Sequence, residues 1–265
     1  MSLPQFHAEL QLFARPGTLV DVGVNIGYHF SHLMSVPNSR LVGYEPQRFL
    51  FLNLCQSLSN SFSQNNPSNV PAIVQWPDNI ELHNVALSNF VGRISMRIPI
   101  VNGTLCHEVG SIIKPFDAKH TLDGKEIKLL TQWVQVTTLD SQKLENVTFV
   151  KIDAEGAEQE IIEGAAETLA AWKPVIDIEL EDVHRAGCVD FVTQQLARHG
   201  YVGYFIYDNE LKNMDSFDAA KHQVCENSGY GATHRKEPYV FDFLFVHRDD
   251  AWGHDTLKKI YGTVP

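Results

Sequence analysis

The chain has 265 residues, 44% of them hydrophobic and 20% charged, with a formal net charge of −11 at pH 7. That length and balance exclude a disordered or fibrous chain and suit one α/β domain with a sizeable core. The negative balance argues against nucleic acid as the main partner, because like charge repels a phosphate backbone, and no apolar run approaches the roughly 18 residues of a membrane span.

Four cysteines, Cys55, Cys106, Cys188 and Cys225, are widely spaced and form no Cys-x-x-Cys pair. They read as reduced thiols and predict a cytoplasmic protein. Met1-Ser2-Leu3-Pro4 carries no basic and apolar signal segment. No internal repeat is present.

In chain order, residues 1–18 read as a lead-in with one helical turn around 6–13, ended by Pro16-Gly17. The first strand is expected at 18–22 and a helix at 26–36, stopped by Pro37-Asn38. A second strand spans 40–46. Pro46 then opens a helix whose apolar face is Phe51, Leu54, Cys55 and Leu58. Residues 59–79, rich in Ser, Asn, Gln and Pro, predict an exposed loop. A third strand is expected at 80–87. Residues 88–135 do not alternate strand and helix; strands at 91–98 and 128–138 around the Asn102-Gly103 turn suggest an insertion over the sheet's carboxyl edge. The fourth strand is 148–153, followed by a helix to about 172 with Ile161, Ala165, Leu169 and Trp172 as its buried stripe. A fifth strand spans 175–180, a helix 189–198 and a sixth strand 201–207. The polar stretch 208–238 is a second candidate loop, 239–247 is a seventh strand, and the rest is a tail. The whole reads as a single domain over 1–265, with 88–135 and 208–238 as insertions on the substrate side.

Two stretches carry chemistry. Leu19-Val20-Asp21-Val22-Gly23-Val24-Asn25-Ile26-Gly27 is an apolar run that ends in an acid and a glycine-punctuated turn. In open α/β sheets ligands bind at the carboxyl ends of strands, where Asp21 should lie. Gly23 lets backbone approach a ligand, and Gly27 allows the next helix to pack closely. The spacing is Asp-x-Gly-x-x-x-Gly, not the Gly-x-Gly-x-x-Gly of dinucleotide enzymes. An acid there suits a cationic or hydroxyl-bearing ligand, and S-adenosylmethionine fits that description. Glu45, 24 residues beyond Asp21, ends the second strand where an acid accepts ribose hydroxyls; the bland alternative is a favourable charge at a helix start. The second stretch is Lys151-Ile152-Asp153-Ala154-Glu155-Gly156-Ala157-Glu158. Asp153 ends a central strand and should face the cleft, whereas Glu155 and Glu158 suit a helix-dipole role as well as a chemical one. Asp177 and Glu179 end the fifth strand with side chains pointing the same way.

These motifs, with Tyr44-Glu45-Pro46, Asn84-Val85-Ala86-Leu87-Ser88, Thr137-Thr138-Leu139-Asp140, Glu163-Gly164-Ala165 and Pro174-Val175-Ile176-Asp177-Ile178-Glu179, occur in an order that resembles the FkbM family of S-adenosylmethionine-dependent O-methyltransferases. The likeness covers about residues 18–182; Val24 and Ala154 stand where the family usually has Ala and Val. It implies a Rossmann-like class I methyltransferase fold, α/β with a seven-stranded, mostly parallel sheet and helices on both faces. It also implies an acceptor that is a small molecule or glycan: a hydroxyl of a sugar, glycolipid or natural product. By the resemblance Asp21, Gly23, Asn25 and Gly27 shape the methionine end of the cofactor pocket, Glu45 takes the ribose and Ala86 lies near the adenine.

A sugar hydroxyl has a pKa far above 7, so a base or a metal must help remove its proton. The base candidates are Asp153, Glu179 and His184; His83 and His107 rank lower as lone loop histidines. Asp153 with Asp177 or Glu179 offers oxygen ligands for Mg²⁺, an alternative ranked below a side-chain base. A nicotinamide oxidoreductase is the rival enzyme reading, but it needs the Gly-x-Gly turn that is missing here. A cofactor-binding scaffold without an acceptor site is the non-enzyme alternative.

Overall fold

The structure is a computed structural model, and it describes residues 10–64, 77–114, 116, 127–224 and 238–265. The calls on residues 1–9, on 65–76 and on Cys225 lie outside the described residues.

Strand β1 (Thr18–Val22) is buried along its whole length. It pairs in parallel with β2 (Arg40–Tyr44) on one side and β8 (Val147–Ile152) on the other. Beyond β2 lies β3 (Ile80–His83), and beyond β8 lies β9 (Val175–Glu179), both parallel. Buried on both faces, β1, β2, β8 and β9 are largely apolar runs, whereas the edge strand β3 is only partly buried. The last strand, β12 (Asp242–His247), inserts antiparallel between β9 and β10 (Tyr201–Tyr207). Among the described residues the sheet has eight strands rather than the expected seven, in the order β11-β10-β12-β9-β8-β1-β2-β3. The extra strand, β11 (Glu210–Asn213), folds back on β10. Asp208 and Asn209 between them both have positive φ, 53° and 62°. Two left-handed residues in a two-residue turn match strand twist, and Asp and Asn are the side chains that tolerate it.

The expected third strand divides. Ala86–Leu87 forms β4 in a second sheet, ordered β4-β7-β5-β6, whose body is the antiparallel pair β5 (Gly92–Val101) and β7 (Ile127–Thr137), with β6 (Thr104–Leu105) at the edge. The break is held by Asn84, whose side-chain amide donates to the carbonyls of Glu45 at 2.8 Å and Pro46 at 3.1 Å. Met96, Val134 and Val136 from this second sheet join the same apolar cluster as Val20, Val150 and Ile176 of the large one.

Helices α1 (Leu10–Phe13), α2 (Tyr28–Leu33), α3 (Arg48–Gln64) and α8 (Ala251–Tyr261) cover one face of the large sheet, through Phe13, Phe30, Leu54 and Leu257. Helices α4 (Glu158–Glu163), α5 (Ala166–Trp172) and α6 (Cys188–Arg198) cover the other, through Ile161, Leu169 and Val192. Helix α2 starts later than expected because Asn25 and Gly27 are left-handed. Helix α3 runs past residue 58, since serine and asparagine weaken a helix without stopping it. The helix after β8 breaks in two at Gly164, where a Cβ would stand 2.0 Å from the carbonyl oxygen of Ser88. Trp172 is 38% exposed and does not join the buried stripe; its indole N–H donates to Leu144 O at 3.1 Å. The stretch after β11 holds a short helix, α7 (Ala219–His222). The expected tail is α8, capped by the Asp250 carboxylate on the Gly253 N–H at 3.2 Å.

Candidate active site

The carboxyl ends of β1, β2 and β8 meet beside the second sheet and open a cleft. After β1 the chain makes a turn with Gly23, Asn25 and Gly27 all at positive φ. Gly23 N–H donates to Tyr44 O at 2.9 Å. A Cβ on Gly23 would lie 1.8 Å from the Asp153 carbonyl oxygen, so this glycine is required by the exit of β8 whatever the ligand. A Cβ on Gly27 would meet Leu54 of α3 at 2.6 Å, so the close packing at this glycine is with α3 and not with the next helix, α2. Glu45 is buried behind this turn. One of its carboxylate oxygens accepts the Asn25 N–H at 2.8 Å and the other the Gln47 N–H at 2.7 Å.

Gly23, Asn25, Glu45, Ala86 and Asp153 line the cleft. Asp21, Gly27, Glu179 and His184 are not among the lining residues. The apolar wall comes from Val85, Ala86 and Leu87, with Met96 and Ile112 of the segment 88–135. The segment 88–135 also supplies His107 and Glu108. His107, which its sequence context ranked as a surface residue, stacks on Phe49 with ring centroids 5.0 Å apart, and its Nδ1 lies 3.1 Å from Gln47 Oε1. His83 stacks on the lining residue Tyr44, with ring centroids 5.3 Å apart, and is not itself among the lining residues.

Burial governs the electrostatics. The Asp21 carboxyl is pushed up to about 7 by loss of water, against the pull of Lys151 and helped by Asp153 and Glu45. Its Oδ2 is buried without a hydrogen-bond partner. Burial also pushes Glu45 up to about 7, against its two backbone N–H bonds. Lys151 is fully buried, with Nζ 3.2 Å from Asp177 Oδ1. Burial alone would lower its pKa, but the carboxylates of Asp177 and Asp242 outweigh that and hold it above the ordinary lysine value. Asp21, Lys151 and Asp177 are in register across β1, β8 and β9, so an acid, a base and an acid form one row inside the sheet.

The loop after β8 separates the two glutamates that the sequence left equivalent. Glu158 Oε1 accepts the N–H groups of Ala154 and Gly156, each at 3.1 Å, at the start of α4. Glu155 instead lines the cleft, with its backbone left-handed at φ 54°. Its carboxylate bonds the ammonium of Lys114, a fully buried side chain. Ser111 Oγ donates to the Glu155 carbonyl at 2.6 Å. Behind it His184 Nε2 is 3.6 Å from Glu155 Oε2 and 3.5 Å from Glu181 Oε1, and the Tyr239 hydroxyl donates to Glu181 Oε2 at 2.7 Å. Burial pushes Glu155 up to about 7, opposed by Lys114 and aided by Asp153. Burial, then the charges of Asp153, Glu181 and Glu155, push Glu179 well above the usual carboxylate range. Sequence reasoning missed Lys114, Lys151, Glu181 and Tyr239. A lysine inside the apolar strand Val150-Lys151-Ile152 was the available signal, since a buried cation needs a counter-charge.

Among the described residues no group of three or more His, Cys, Asp or Glu side chains is arranged to hold a metal ion, and no helix is long and apolar enough to cross a membrane.

Residues 21–202 match the methyltransferase FkbM domain. The chain belongs to that family. Its α/β architecture is the Rossmann-like class I methyltransferase fold. The methyltransferase FkbM from Methylobacillus flagellatus KT is 17% identical, with a TM-score of 0.51 over 88% of this chain and 44% of that one. The present chain therefore spans less than half of that protein's length, and at this identity the likeness is one of fold. Precorrin-6y C5,15-methyltransferase from Geobacter metallireducens GS-15 is 11% identical, with a TM-score of 0.43 over 91% of this chain and 85% of that one. A SAM-dependent O-methyltransferase from Thermotoga maritima is 10% identical, with a TM-score of 0.39 over 91% and 63%. These two likenesses are too loose to carry an argument. No curated protein matches the chain.

Proposed function

We propose that this FkbM domain binds S-adenosylmethionine in the cleft and methylates a hydroxyl of a sugar, glycolipid or natural-product acceptor. The observation that carries the reading is the composition of the cleft. One wall is apolar, and the polar lining includes the carboxylates of Glu45, Glu108, Asp153 and Glu155 with no lysine or arginine among the described residues. Such a lining suits a cationic donor and a neutral, hydroxyl-bearing acceptor, and it repels phosphate.

The residues fit the donor. Glu45 has carboxylate lone pairs left for ribose hydroxyls beside its two backbone bonds. Ala86 and its neighbours form an apolar slot for the adenine. Gly23 and Asn25 present backbone at the methionine end, with Gly27 setting the turn. Asp21 adds negative charge from outside the lining, and its partnerless Oδ2 is an orphan that a cation relieves. When bound, the donor supplies a methyl group on a sulfonium. The protein's own work is to align the acceptor with it, exclude water and take a proton. Asp153 faces the cleft at the tip of β8, while Glu179 and His184 act on its field from outside the lining.

Calorimetry with S-adenosylhomocysteine tests the pocket: saturable binding by the wild type, weakened in Glu45→Gln, is expected. Release of S-adenosylhomocysteine from S-adenosylmethionine, with and without chelator, then tests the acceptor class on methyl glycosides of hexoses and 6-deoxyhexoses. Absence of binding rejects the cofactor assignment. Activity lost with chelator shows that a metal ion, rather than a side-chain base alone, activates the hydroxyl.

A further inference from the structure

We infer that a second, apolar groove beside the cleft holds an uncharged alkyl part of the acceptor, so that the molecule methylated is a neutral amphiphile, a hydroxyl-bearing head with a hydrocarbon tail. The inference rests on the hydroxyl-methylation reading above. The groove has a volume of about 280 Å³ and is lined by Phe49 of α3, Ile98 of β5, Leu105 of β6 and Leu130 of β7. Ile98 and Leu130 stand directly opposite in the register of β5 and β7, so their side chains share one face of that sheet. Phe49 is 58% exposed and Leu130 42% exposed. Covering such apolar surface is favourable, and exposed apolar surface that runs on from a ligand cleft marks a place where a ligand lies.

The groove and the cleft meet at Gln47 and His107, which line both. The polar atoms of that pair are turned on each other. Gln47 Nε2 donates to the His107 carbonyl at 2.8 Å, and Gln47 Oε1 lies 3.1 Å from His107 Nδ1. The His107 ring lies flat against Phe49, with 12° between the planes. Gln132, at the far wall, directs its Nε2 to the sulfur of Met96 at 3.8 Å. What remains for an occupant is hydrocarbon and ring face. Charge and polarity then select the occupant. No charged side chain lines the groove among the described residues, so nothing there holds a fatty-acid carboxylate or a phosphate, and the carboxylates of the adjoining cleft repel both. A peptide would bring backbone N–H and C=O groups that find too few partners. An alkyl chain needs none. A cavity of about 150 Å³ takes benzene, so this one suits a chain of roughly eight carbons.

The test uses the full chain saturated with S-adenosylhomocysteine, titrated by calorimetry with methyl, butyl and octyl β-D-glucoside, the last below its micelle concentration. Each methylene that enters the groove tightens binding by up to about fourfold, so octyl glucoside is expected to bind at least about tenfold more tightly than methyl glucoside. Leu130→Trp fills the groove and Leu130→Gln makes its wall polar. Both are expected to erase the dependence on chain length while leaving S-adenosylhomocysteine affinity, and turnover of the methyl glycoside panel, at wild-type values. Leu130 is half-exposed, and an unchanged melting temperature checks that both variants fold. Equal or absent binding of the three glucosides overturns the inference, as does a chain-length dependence that survives both substitutions. If S-adenosylhomocysteine binds and octyl glucoside gains nothing over methyl, the groove fails and the methyltransferase reading stands. If the wild type binds no S-adenosylhomocysteine, that reading fails, and the same titrations without it still decide whether the groove takes an alkyl chain.

Discussion

Glu45 serves two turns at once, and that alters what its replacement does. Its carboxylate holds the N–H groups of Asn25 and Gln47, so Glu45→Ala should lower the melting temperature as well as weaken binding of S-adenosylhomocysteine. Glu45→Gln keeps an acceptor, and its expected loss is about 1.5–3 kcal/mol of binding, roughly 10–100-fold, read by calorimetry. Asp21, Glu45 and Glu158 all have carboxyls raised to about 7 by burial. Their unfolded values lie near 4, so between about pH 4 and 7 the folded chain binds more protons than the unfolded one. Their contribution to stability is complete below about pH 4 and is lost as pH rises through 7, at up to about 1.4 kcal/mol per unit for each group. The ligand-free protein should therefore melt lower at pH 8 than at pH 6, and Asp21→Asn should flatten part of that slope. A cationic donor reverses the preference, since it favours the ionised acids: its affinity should rise over the same interval. The acids of this site were legible because an acid at the end of an apolar run is conspicuous. Their cations were not: Lys114 follows Ile112-Ile113 in an insertion without period, and only the fold brings it to Glu155.

At the scale of elements, the strands of the large sheet were legible because burial on both faces leaves short apolar runs bounded by glycine, proline and asparagine. The misses have local causes. Asp208-Asn209 is a hairpin turn without the usual glycine. Helix α8 contains Gly253, which reads as a breaker but is demanded by packing, since a Cβ there would meet Val246 Cγ1 at 2.6 Å. The motif Glu163-Gly164-Ala165 finds its reason in the break between α4 and α5. Gly164→Ala forces a Cβ against the Ser88 carbonyl and should cost at least about 1–3 kcal/mol in urea unfolding. Asp140 has a similar explanation. Its carboxylate accepts the N–H groups of Glu167 at 3.0 Å and Thr168 at 2.8 Å, capping α5 from a distant turn. Asp140→Ala should destabilise the chain by about 0.5–2 kcal/mol, with little effect on cofactor affinity; a large binding defect at unchanged melting temperature would contradict this role.

Across the whole molecule, a single buried ammonium faces acids from several strands. Lys151 of β8 lies beside Asp21 of β1, Asp177 of β9 and Asp242 of β12. Lys151→Met leaves those acids without their cation and should cost about 3–5 kcal/mol, with a lower urea midpoint. A double replacement with Asp177→Asn should recover part of it; strict additivity of the two would show that the row is not coupled. The insertion of β12 between β9 and β10 bears on synthesis. Everything before Asp242 is made while the sheet has a gap in its middle, with the facing edges of β9 and β10 waiting for a strand still on the ribosome. Open edges invite pairing with other chains. The emerging polypeptide therefore passes through a sticky stage that only the emergence of β12 ends, and premature termination before β12 should yield aggregates rather than a smaller soluble domain.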